Sequence, residues 1–438
     1  MNRSARLWRA APLVVLLVLI LIATTLVTPT PQPSPTPTAN SDLVLINRQQ
    51  ARTTQALYQV EVRAAREGWT PALARTAGDL WRELGNASNA VAYWEISLSA
   101  QPADATLLRQ VAQAYIDLQR WGSAVDTLER LVQAAPDAPW GHYQLGLLRA
   151  PLDPNAAVEH LQIAAASPDF SAISEVLLYV LQNNPPDTLM SMRVGLVFVD
   201  YQLWAQAELA FSHAAVVSQS VPEALAYVGF ARDNQGKDGS AWIDQAVTLA
   251  PDNAQVRYVQ GLHLRTVGEL AASLDAFLQA VALEPRNPAY CAELGTAYRL
   301  LDDLSNAMLW LQQAVILSNN APEFQRLLAL LYAEEAPTLT ALGFDVQGQL
   351  STLSPDDPDV LAELGWSLYN AGDNFGAQNQ LNAALAIDAQ NPRALYYRAR
   401  ILINDGKILA ALPLLQIVAE SDSEFAVESQ RILTSLGD

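Results

Sequence analysis

A chain of 438 residues that is 51% hydrophobic and only 16% charged has enough apolar material for several packed cores, which excludes a chain disordered as a whole. One cysteine, Cys291, excludes a disulfide framework and any thiolate metal cluster. With 26 basic against 45 acidic residues the chain carries a formal −19, which repels a polyanion and argues against nucleic acid as a partner.

In chain order, residues 1–9 carry Arg3, Arg6 and Arg9 and no acid. From Ala10 to Val27 run 18 uncharged residues dominated by Leu, Val and Ile, just long enough as a helix to cross a thin hydrocarbon core. No small-residue cleavage site follows before Thr28-Pro29, so the segment reads as an uncleaved signal anchor rather than a removed signal peptide. The arginines before it place the N-terminus in the cytoplasm and the rest outside. Residues 28–40 alternate proline at Pro29, Pro31, Pro33, Pro35 and Pro37, the pattern of an extended polyproline spacer. Residues 41–70 follow as a leading helix.

The body, residues 71–423, repeats every 34 residues, with block starts at 71, 105, 139, 188, 222, 254, 288, 322, 358 and 392. Position 8 is small (Gly78, Gly146, Gly195, Gly261, Gly295, Gly365), position 20 is small, and position 24 is bulky (Trp94, Leu128, Phe211, Phe277, Leu311, Leu381). Each block holds two amphipathic stretches split by a turn such as Val267-Gly268-Glu269, and Pro-Asp or Pro-Asn pairs close it. The spacing predicts two helices per block, crossing closely at the small positions, with the bulky residues filling the gap between neighbouring blocks. The second half of the block starting at 322 is the weakest, because Gly343 and Gly348 interrupt it. The segment from Phe170 to 187 reads as a helix outside the register, and residues 424–438 as a closing helix.

This pattern resembles the tetratricopeptide repeat. The resemblance implies an all-α, right-handed superhelical solenoid of about ten helix-turn-helix repeats, here preceded by one transmembrane helix. It also implies that the first helix of each repeat lines a concave groove. The matching positions take eight of the sixteen arginines of residues 71–425 but nine of the forty acids. They hold Arg75, Arg82, Arg109 and Arg326, and the partner-binding candidates Tyr258, Arg265, Arg299, Arg393, Tyr396, Arg400, Trp366, Tyr369, Trp140 and Tyr143. Arginine and aromatic side chains dominate binding hot spots, so the expectation is a groove that grips a segment of another protein, possible anionic segments included. The basic clamp that some relatives use for chain-terminal carboxylates is not reproduced, since Arg75 would be matched with Asp79 and Arg109 with Gln113.

No catalytic or cofactor pattern accompanies the repeats. The four histidines His142, His160, His213 and His263 form no HxxxH or HExxH pair, so no metal and no cofactor is expected. Cys291 reads as a small core residue. Asp356, Asp357 and Asp359 read as a solvated turn between blocks with helix-start acids. The expected function is therefore not enzymatic. It is that of a membrane-anchored scaffold that recruits or assembles protein partners at the extracytoplasmic face of a cell membrane, with an arginine-rich, lysine-poor composition that points to a bacterium. The alternative is a non-catalytic, substrate-presenting subunit of an envelope enzyme or secretion complex.

Overall fold

The computed structural model describes residues 40–184, 189–217, 222–341, 343–353 and 356–437, with side chains described from Gln49 except at residues 351 and 437. The basic N-terminus, the apolar run 10–27 and nearly all of the proline-rich spacer lie outside the described residues. Among the described residues there are 24 α-helices, no strand, and no helix long and apolar enough to cross a membrane.

Two compact units meet in sequence at Leu249 and Ala250. The first opens with α1 (Asn40–Glu67), which packs on α2, and then has three helix pairs: α2 (Pro71–Glu83) with α3 (Ala87–Ala100), α4 (Ala105–Asp117) with α5 (Trp121–Ala134), and α6 (Pro139–Arg149) with α7 (Pro154–Ala165). The single helix α8 (Ser171–Asn183) intervenes, followed by α9 (Met190–Asp200) with α10 (Trp204–Val217) and α11 (Pro222–Asp233) with α12 (Ser240–Leu249). The second unit pairs α13 (Ala254–Thr266) with α14 (Leu270–Leu283) and α15 (Pro288–Leu300) with α16 (Leu304–Leu317). Helix α17 (Pro322–Glu334) faces two short pieces, α18 (Ala336–Ala341) and α19 (Val346–Leu353), where the glycines interrupt the pattern. Then come α20 (Pro358–Asn370) with α21 (Asn374–Ile387), α22 (Pro392–Asn404) with α23 (Ile408–Ala419), and α24 (Ala426–Gly437).

Local chemistry starts and stops these helices. Asp104, Asp153, Asn253, Asp303, Asp373 and Asn391 each accept a backbone N–H from the first turn, worth about 1 kcal/mol apiece. Proline opens α2, α6, α15, α17, α20 and α22, where its missing N–H costs no bond.

The small and bulky positions meet within a pair. Ideal Cβ atoms built on Gly195, Gly261, Gly295 and Gly365 fall 2.5–2.9 Å from Phe211, Phe277, Leu311 and Leu381, and one on Gly78 would overlap the ring of Trp94. Each of these large residues sits sixteen positions on, in the second helix of the same block, so it fills the crossing inside a pair rather than the gap between blocks. Trp94, Phe211 and Phe277 are fully buried there, each burial contributing roughly 1.5–3 kcal/mol.

Candidate partner-binding site

In the second unit, the arginines expected to face a partner are turned instead on carboxylates about one repeat away. Arg265 on α13 meets Glu293 on α15 at 2.5 Å, with both side chains buried (8% and 0% exposed). Arg299 on α15 meets Glu334 on α17, and Arg326 on α17 bonds Asp357 and Asp359 at the start of α20. Arg393 on α22 reaches back to Glu363 on α20 and forward to Glu424 before α24. A continuous set of ion pairs thus ties the first helices of successive pairs to one another. Of the 356–359 acids, Asp357 caps α20 as a helix-start acid should, but the turn is not simply solvated: Asp357 also binds Arg326, and Asp359 accepts from both Arg326 and Asn391.

The rings follow the same spacing. Tyr258 stacks on Tyr290 at 5.0 Å, Trp366 on Tyr397 at 5.0 Å, and Tyr396 on Phe425 at 4.6 Å. Tyr258 and Tyr396 are buried by these stacks, which removes both as surface anchors. Glu363 sits at the centre of the last cluster, accepting from Arg393 at 3.0 Å and from the Tyr397 hydroxyl at 2.7 Å. Burial raises its carboxyl pKa against the pull of Arg393, and burial together with Glu363 raises the Tyr397 phenol.

Arg400 is the exception in this unit. It lies on α22 beside the same cluster, donates to the Tyr396 hydroxyl at 2.8 Å, and holds its guanidinium 5.9 Å from the Trp366 ring centroid and 5.7 Å from that of Tyr396. It meets no carboxylate among the described residues. Tyr369, half-buried, stacks on Trp366 at 5.6 Å and accepts from Asn404. Arg400, Trp366, Tyr369 and Asn404 therefore combine a cation without a counter-ion, two rings and an amide.

The first unit repeats the contrast. Arg75 does not pair with Asp79; it bonds Asp104, the capping residue of α4, at 2.5 Å. Arg109 holds the equivalent position one block later, but Ala138 stands where a capping acid would be. It is left exposed, 4.8 Å over the Trp140 ring, with no carboxylate partner among the described residues. Arg82 lies over Trp94. Tyr143 stacks on Phe170 at 4.5 Å, and burial raises its phenol pKa. The ten candidates thus fall in two units, Trp140 and Tyr143 in the first and the other eight in the second.

Two features carried no legible signal, and a third, Cys291, lies in the core as its reading implies. His142 and His160 lie on paired helices with their Nδ1 atoms 2.9 Å apart. His142 Nε2 donates to the Pro136 carbonyl at 2.8 Å, so in the neutral pair its Nδ1 accepts from His160 Nδ1–H. Burial lowers the His160 pKa. Asp200, at the end of α9, has a buried oxygen without a bond, and burial pushes its carboxyl up to about 8. It is thus held largely protonated near neutrality. Cys291 is fully buried, its thiol pushed up to about 11.

Family comparison matches the tetratricopeptide repeat at residues 75–139, 258–322 and 362–424. Among solved structures, yeast Tom70 is 13% identical, with 84% of this chain and 95% of that one covered at a TM-score of 0.37. Pseudomonas aeruginosa pilF is 15% identical over 49% of this chain and 97% of its own, TM-score 0.37. YrrB, described as a TPR protein with an unusual peptide-binding site, is 21% identical over 44% and 99%, TM-score 0.34. No curated protein matches the chain.

Proposed function

From the premise that this chain carries tetratricopeptide repeats, modules that mediate protein–protein interaction or complex assembly, we propose that it is a non-catalytic scaffold that captures anionic segments of partner proteins. The observation that supports this is the division among its arginines. Those that tie helix to helix are neutralised by carboxylates, whereas Arg109 beside Trp140 and Arg400 beside Trp366 keep a full charge next to a ring. A carboxylate docking there gains a charge-assisted, planar contact without breaking an existing ion pair. Tyr369 and Asn404 flank the second of these sites.

The apolar run 10–27 behind three arginines supports a single-pass anchor with the array outside the cytoplasm, in a bacterial cell membrane. A substrate-presenting subunit of an envelope enzyme or secretion complex would use the same sites and differ in having a catalytic chain as the stable partner.

The test places a photo-crosslinking amino acid at Tyr369 in intact membranes, with a C-terminal reporter enzyme active only outside the cytoplasm. The expected adducts map to Asp- and Glu-rich segments of partner proteins and disappear with Arg400→Glu, and the reporter is active. Adducts that survive Arg400→Glu would reject the site, and a silent reporter would reject the topology.

A further inference from the structure

In a stack of helix pairs each pair touches its neighbours, and contacts three pairs apart are not needed for the stack to hold. The first unit has such contacts. Gln119, in the turn between α4 and α5 of the second pair, donates through Nε2 to Gln235 Oε1 at 2.6 Å and accepts from Lys237 Nζ at 2.6 Å, both in the turn between α11 and α12 of the fifth pair. Lys237 and Gln235 also donate to Glu208 on α10 at 2.9 Å each, and Arg232 meets the other oxygen of that carboxylate at 2.8 Å. Leu209, next along α10, packs against the apolar core built by α3, α4, α5 and α6.

The turn itself carries the second observation. Gln119 has φ 53, the left-handed region, as do Gln202 and Asp302 in the turns between α9 and α10 and between α15 and α16, whereas the corresponding turns at Gly85, Gly236, Gly268, Gly372 and Gly406 use glycine. A glutamine there accepts backbone strain that glycine avoids. Its side chain is what glycine cannot supply: the reach across 116 residues to Gln235 and 118 to Lys237. Lys237 is one of two lysines in the chain.

We infer that the first unit is held curled on itself by a polar clasp, Gln119 and Lys237 closing on Gln235 and Glu208, so that a partner requiring a more open curvature must release it. The extra helix α8 stands between the third and fourth pairs, inside the stretch that the clasp spans. Glu208 is the hub. Its carboxyl pKa is lowered by bonds from Lys237, Gln235 and Arg232 acting against the penalty of burial. The clasp consists of side-chain bonds among two turns and Glu208 on α10, with no backbone bond of a helix in it, so it opens without unfolding any helix pair. A ligand that favours the open form shifts the population by its difference in affinity for the two forms.

The test uses the full chain with spin labels at Asp126→Cys and Asp244→Cys, exposed sites on α5 and α12; buried Cys291 with its raised thiol pKa does not compete for label. The parent shows one narrow distance distribution. Gln119→Gly, which relaxes the turn, and Lys237→Met, which keeps the aliphatic stem, each add a longer and broader component holding most of the molecules, with helix content unchanged. A narrow distribution retained in both variants, or a broad one already in the parent, overturns the clasp.

Discussion

Arg265→Glu is expected to unfold the second unit under conditions where the parent is stable. The substitution sets a carboxylate against Glu293, whose side chain is fully buried and whose other oxygen has no partner among the described residues. Removing one member of a buried pair costs about 3–5 kcal/mol, and reversing its sign adds repulsion to that. Arg265 also lies 5.7 Å over the Phe277 ring that fills the α13–α14 crossing, so the loss reaches the core of the pair. Denaturant unfolding followed by circular dichroism measures it. The double substitution Arg265→Met with Glu293→Gln should recover most of the loss, since both charges leave together. An Arg265→Glu protein as stable as the parent would mean that this arginine faces solvent after all.

Gly239→Ala is expected to have the next largest effect. At the crossing of α11 and α12 an added Cβ would overlap the carbonyl oxygen of Gly229 and fall 2.7 Å from its carbonyl carbon. Backbone cannot rotate away as a side chain can, so the helices must separate. Overpacking of this kind costs about 1–3 kcal/mol, and this site belongs at or above the upper end. Gly122→Ala is the control. It lies in α5 with nothing within 4 Å of the added carbon, and it should be neutral or stabilising by about 0.5–1 kcal/mol. A loss at Gly122 equal to that at Gly239 would show that the penalty is not the crossing.

What the sequence reveals here is what recurs at short range. The 34-residue period exposes the helix pairs because a small residue, a bulky one sixteen positions later and a capping Asp or Asn recur in block after block. The weak second half of the block at 322 reads correctly, since Gly343 stands where it divides into α18 and α19, and Gly348 falls inside the short α19. The pairing of Arg265, Arg299, Arg326 and Arg393 is not legible, because position on a helix says which way a side chain leaves the backbone but not what waits for it. Glu293 is 28 residues from Arg265, and Glu334 is 35 from Arg299, so no local pattern announces either pairing. The burial of Tyr258 and Tyr396 escapes notice for the same reason, Tyr258 being covered by Tyr290 of the next pair and Tyr396 by Phe425. Arg109 escapes pairing because Ala138 replaces a capping acid, a difference visible in the sequence once Arg75–Asp104 is known.

Two classes of arginine divide the work in this chain, one that fastens helices and one that receives partners. Melting temperature with and without a short peptide rich in Asp and Glu, for the parent, Arg265→Met and Arg400→Met, separates them, because a ligand raises the melting point only where it binds the folded state. Arg265→Met should melt well below the parent yet keep the peptide-induced rise, whereas Arg400→Met, which gives up its bond to Tyr396, should cost about 1 kcal/mol and lose the rise of the second unit, the Arg109 site of the first unit being intact. A peptide-induced rise of the second unit that survives in Arg400→Met, or that vanishes in an Arg265→Met protein as stable as the parent, would contradict this division.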